Sequence, residues 1–246
     1  MTESTPIPPP QAPETPQQEP VPVRGIFAAI DALLREPNRV MQQLNRPSAG
    51  SLVVSMLIAA IICNLIYGVV AGSFSGGTQL WAAPVKIAGG LLFSAFICLP
   101  SLYIFACLGG VRAGMLEVAG MIAGLLAIMA VLLVGFAPVA WVFSQSTESL
   151  PAMGGLHLSF GLVACFFGLR FLSAAFTHFK ASSRAGLSFW TLVFLLVALQ
   201  MTTALRPIVD TAPTFLPKEK KFFLTHWSDC LNAQPKPEAA TVEAKK

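Results

Sequence analysis

Charge is scarce in this 246-residue sequence: Asp, Glu, Lys and Arg together make up 11%, against roughly 25% in an ordinary soluble domain. So little polar surface cannot cover a water-facing globule, and a soluble fold is excluded. Recognisable chemistry is equally scarce. There is no phosphate-binding glycine loop, nucleophile elbow, HExxH, pair of neighbouring carboxylates or haem-type histidine pair. Of the three histidines, His157, His178 and His226, none has a second ligand at metal spacing. The five cysteines form no disulfide framework: Cys63, Cys98, Cys107 and Cys165 sit in apolar runs as small packing residues, and Cys230 stands alone. No cluster of basic and aromatic residues suggests a nucleic-acid surface. The expectation is therefore a protein that is not an enzyme, takes no cofactor or metal and binds no nucleic acid.

What the chain does have is apolar residues, 54% of the total, with a mean hydropathy of +0.68. They are gathered into blocks of about 20 residues or more, enough to cross a bilayer. The spacing predicts five spans, at about 51–72, 83–108, 116–141, 156–179 and 187–205. The fold class is all-α, an integral membrane bundle of about five transmembrane helices. Residues 48–207 form the transmembrane domain. Trp81 and Trp141 mark membrane interfaces, Pro100 predicts a kink, and the Gly/Ser turn SFSGGTQ joins the first two spans.

The flanks read differently. Residues 1–23 are rich in Pro, Gln and Glu and predict a disordered tail. They lack the basic and apolar regions of a signal peptide, so the first span is expected to serve as an uncleaved signal. In residues 24–47, Ile26, Phe27, Ile30, Leu33 and Leu34 recur at helical spacing, with Asp31 and Arg35 on the other face. After Pro37, a second stripe of Val40, Met41 and Leu44 follows. This predicts broken amphipathic helices lying at the headgroups, with docking under the bundle as the alternative. Residues 208–246 predict an amphipathic segment near 217–232 and a disordered C-terminal tail.

Positive charge sets the orientation. Arg24, Arg35, Arg39 and Arg46 precede the first span, Arg112 lies in the second connector, and Lys180 and Arg184 lie in the fourth. The third connector carries Glu148 and no cation. The N-terminus is expected in the cytoplasm, in a cell inner (plasma) membrane. Arg206, Lys218, Lys220 and Lys221 then face outward, against the rule.

Arg170 is the sharpest anomaly, because an arginine near a bilayer centre costs at least about 2.5 kcal/mol and usually seeks a partner inside the bundle. Glu117 is the one carboxylate in an apolar block. The expectation is an intramembrane ion pair of Arg170 with Glu117, or a contact of Arg170 with carbonyls freed near Pro100. A polar transport path and simple snorkelling are the alternatives. Lys86 is expected to snorkel to the headgroups. Asn64 and Gln200 are expected to bond between helices, and Gly120 and Gly124 to let a neighbouring helix approach closely.

The stretch Gly72–Arg112 resembles bacterial membrane proteins of the Yip1-like type. The resemblance rests on the Gly/Ser turn, Ala83-Pro84 before Lys86, and Leu99-Pro100-Ser101-Leu102-Tyr103, with Leu205-Arg206-Pro207 after the last span. It extends over about Ile26–Pro207 and implies a compact five-helix bundle without catalytic residues. Eukaryotic members bind Rab GTPases, a role not carried over to this chain. Two functions are open: a non-enzymatic scaffold or assembly factor working through membrane or cytoplasmic protein partners, with homo-oligomerisation open, or a small transporter or channel component using Arg170 and Glu117. Few polar groups in the spans and no internal repeat count against transport.

Overall fold

A computed structural model describes residues 22–77, 79–147, 150–181 and 185–204. The expected N-terminal tail up to residue 21, Glu148, Arg184, Arg206 and the amphipathic C-terminal segment lie outside the described residues. Seven helices occur among the described residues, with no strand: α1 (Ile26–Arg35), α2 (Pro37–Leu44), α3 (Ala49–Ser73), α4 (Gln79–Leu108), α5 (Met115–Ser146), α6 (Leu150–His178) and α7 (Ala185–Ala204). Of these, α3 to α7 are long and apolar enough to cross a membrane. The chain is a multi-pass membrane protein of the all-α class.

The long helices exceed the expected spans at several ends. α5 continues through Pro138 to Ser146, and α6 starts at Leu150, so helix occupies most of the loop expected over 144–155. The serines there serve themselves: Ser144 and Ser146 donate to the carbonyls of Trp141 and Val142 at 2.6 and 2.9 Å. Such back-bonding lets a polar residue stay in a helix.

α5 is the central helix. Every residue from Gly120 to Ala130 is buried, three full turns without an open face. α3 and α6 pack against it, α4 closes on α3, and α7 leans chiefly on α4. Trp190 holds that last contact: fully buried, it stacks on Phe194 at 5.1 Å and donates its indole N–H to the Cys98 carbonyl at 3.0 Å. α4 and α6 end in the same way. Val111 N–H returns to Ala106 and Ala181 N–H to Phe176, each at 3.0 Å, around left-handed Gly110 and Lys180. Glycine is the usual residue there, and Lys180 holds the position with a φ of 57°.

The amphipathic helices dock under the bundle. Ala29, Ala32 and Leu33 of α1 and Val40, Met41 and Leu44 of α2 are buried against α3, α5 and α6. Gln43, itself buried, grips the incoming chain: its Oε1 accepts from Val23 N–H at 2.7 Å and its Nε2 donates to the Val23 carbonyl at 3.0 Å. One side-chain amide thereby satisfies both backbone groups of a buried residue. The docking expected only as the alternative is realised here.

Candidate functional site: polar side chains inside the bundle

Arg170 and Glu117 do not meet. Glu117 lies in the first turn of α5, half-buried, and its Oε2 would stand 2.8 Å from a Cβ built on Gly114. The carboxylate thus folds back over the start of its own helix, where unpaired N–H groups and the helix dipole favour negative charge. Arg170 is exposed on α6, and among the described residues the ion pairs are Asp31–Arg35 at 2.9 Å and Glu36–Arg39 at 3.1 Å. The reason is rotational. α6 faces the core with Gly168, Phe171, Leu172 and Ala175, which turns Arg170 outward. Because α6 begins before the expected span, Arg170 also lies off centre, eight residues or about 12 Å from the His178 end. That is within snorkelling reach of the interface. The carbonyl near Pro100 that gains side-chain donors is that of Cys98, from Trp190 and from Ser101 at 2.8 Å. Pro100 itself is exposed.

Gly120 and Gly124 receive side chains from neighbouring helices. A Cβ on Gly120 would collide with Leu44 of α2 and lie 3.2 Å from Val53 Cγ2 of α3. One on Gly124 would lie 2.5 Å from the Phe171 ring of α6. Two glycines passed over in the sequence sit at close backbone approaches. Gly168 of α6 faces the Leu125 carbonyl of α5 at 3.1 Å from its built Cβ, and Gly68 of α3 abuts the Pro84 backbone of α4.

The polar side chains gather at the other end of the bundle, away from α1 and α2. Tyr67 stands six residues before the end of α3, and Lys86 and His157 stand seven residues after the starts of α4 and α6. At about 1.5 Å per residue all three lie roughly 9–10.5 Å inside that end. Tyr67 is 3% exposed and its hydroxyl lies 2.6 Å from His157 Nδ1, with the rings edge to face at 5.5 Å. The phenol is the natural donor, which leaves the imidazole proton on Nε2. That Nε2 is buried and has no hydrogen-bond partner. One turn deeper, buried Asn64 donates to the Ala60 carbonyl of its own helix at 2.8 Å, and its Oδ1 is unpartnered. The expected bond to another helix is absent at Asn64. Lys86 is 2% exposed. Expected to snorkel, it is instead enclosed within the bundle, seven residues into α4. Gln200 is half-buried on α7.

No family model, curated protein or solved structure matches this chain. Tyr67–His157 can fix α3 to α6 and exchange hydrogen bonds. Among the described residues, no three His, Cys, Asp or Glu side chains converge as a metal site requires.

Histidine spacing assigns His157 no partner, and nothing in the sequence singles out Tyr67, 90 residues earlier. The expected spans hide the pairing, since they set Tyr67 five residues from the end at 72 and His157 one residue from the start at 156; helix running back to Leu150 brings the two level.

Proposed function

We propose that this chain is a non-enzymatic scaffold or assembly factor of the Yip1-like type, acting through protein partners in a cell inner membrane with its N-terminus in the cytoplasm. The observation that carries the reading is the packing around α5. From Gly120 to Ala130 it is enclosed by apolar side chains, so a polar route past Glu117 and Arg170 finds no support there. The docked α1–α2 pair supports an assembly role, since the Gln43–Val23 grip gives the Pro-rich tail a fixed point of departure.

Charge placement supports the orientation. Arg24, Arg35, Arg39, Arg46, Arg112 and Lys180 all belong to the end where α1 and α2 dock, and Arg170 lies nearer that end than the other. At the opposite end, the described Lys86 is enclosed. Reporter fusions test this. A fusion at Arg112 should read cytoplasmic and one at Thr147 periplasmic, and the reverse pattern overturns the orientation.

The decisive functional experiment is affinity purification of the full chain in mild detergent. The scaffold reading expects stoichiometric partners that are lost when residues 1–21 are deleted. Purified chain that catalyses solute flux in liposomes, without partners, overturns it.

A further inference from the structure

The apolar stripe read from the sequence of α1 is split in the structure. Leu33 turns into the bundle with Ala29 and Ala32, while Phe27 is 86% and Leu34 54% exposed. With half-buried Ile30, these two form a second apolar stripe at i, i+3, i+7 spacing on nearly the opposite side of the helix. We propose that this stripe inserts into an anionic lipid leaflet beside the bundle, making α1 a surface element that grips protein on one face and lipid on the other.

Three observations select that occupant. First, α1 packs on the ends of α3 and α5, and α2 reaches α3 through only residues 45–48, so the stripe is held at the level where the spans leave the membrane. Second, the segment 22–48 carries four arginines against Asp31 and Glu36, a net charge of +2. Arg24 and Arg46 are exposed and make no ion pair among the described residues, leaving them for lipid phosphates. Third, the stripe is small. A large aromatic side chain buries about 150–250 Å², so Phe27 and Leu34 fall well short of the roughly 800 Å² per partner of a stable protein interface. The Gln43–Val23 clamp at the start of α1 keeps the stripe from rolling under the bundle. The inference does not depend on the scaffold reading.

The test uses the full chain with its native cysteines replaced, reconstituted in nanodiscs, with an environment-sensitive fluorophore on a cysteine at position 27, 34 or 38. Asn38 is exposed and serves as the aqueous control. Headgroup-proximal nitroxide lipid should quench the label at 27 and 34 at least threefold more than at 38. Quenching at 27 and 34 should be stronger in phosphatidylglycerol than in phosphatidylcholine, and Arg24→Gln with Arg46→Gln should abolish that preference. Equal quenching at all three positions, or stronger iodide than nitroxide quenching at 27, overturns the proposal. Protection of position 27 that vanishes on deleting residues 1–21 assigns the stripe to the chain's own tail. Protection that vanishes when nanodiscs hold one copy assigns it to a second copy. Either result overturns the proposal equally.

Discussion

Replacing Tyr67 by Phe removes one oxygen atom and tests whether the Tyr67–His157 bond holds α3 to α6. The substitution keeps the ring, and with it the edge-to-face contact at 5.5 Å. It takes away the donor 2.6 Å from His157 Nδ1. In soluble proteins a stranded buried polar atom costs about 1–3 kcal/mol. Hydrogen bonds between membrane helices average about 0.6 kcal/mol and reach about 1.7, because the unfolded chain in the membrane also finds partners. His157 belongs at the upper end of that range. Its Nε2 is already buried without a partner, so removing the phenol leaves both ring nitrogens unpaired. The expected loss is about 1–1.5 kcal/mol. Unfolding in bicelles by steric trapping resolves this, with the cycle Tyr67→Phe, His157→Phe and the double variant. The coupling energy should be about 1 kcal/mol, and Tyr67→Phe should cost almost nothing once His157 is Phe. A single-variant loss below about 0.3 kcal/mol, or strict additivity of the two, refutes the reasoning.

Arg170→Leu should insert and fold normally, with stability unchanged or raised by up to about 1 kcal/mol in the same assay, because the exposed guanidinium makes no ion pair with Glu117. Loss of folding rescued by Glu117→Gln would contradict this. Gly124→Leu should cost about 1–3 kcal/mol through overpacking against the Phe171 ring, and Phe171→Ala should recover part of that loss. Thermal melts of the purified protein report both changes. Gln43→Ala strands the buried N–H and carbonyl of Val23, at about 1–3 kcal/mol. Hydrogen exchange over Ile26–Leu44 should speed up while α5 stays protected. Lys180→Gly relieves a left-handed residue at the end of α6 and should stabilise the chain by up to about 1 kcal/mol, read from the same melts.

The class of the protein was legible because the membrane imposes it locally. A run of about 20 uncharged apolar residues must become a helix, since lipid offers backbone groups no other partner. The spans, their number and the amphipathic segment before them follow from that rule and from periodicity. Their ends did not, because serines at 144 and 146 close their own hydrogen bonds and let helix continue where composition suggested loop.

The partners of individual side chains were beyond the sequence, because a bilayer-spanning helix is apolar all round and carries no mark of which face turns inward. That rotation decided several outcomes together. It sends Arg170 to the surface while Phe171 enters the notch at Gly124. It encloses Lys86, joins Tyr67 to His157 across 90 residues, and divides the stripe of α1 between bundle and exterior. The sequence by itself determined five apolar helices, the amphipathic lead-in and the uneven distribution of positive charge. Only the tertiary structure decided which helix is central and which polar groups meet, because those depend on packing between segments far apart in the chain.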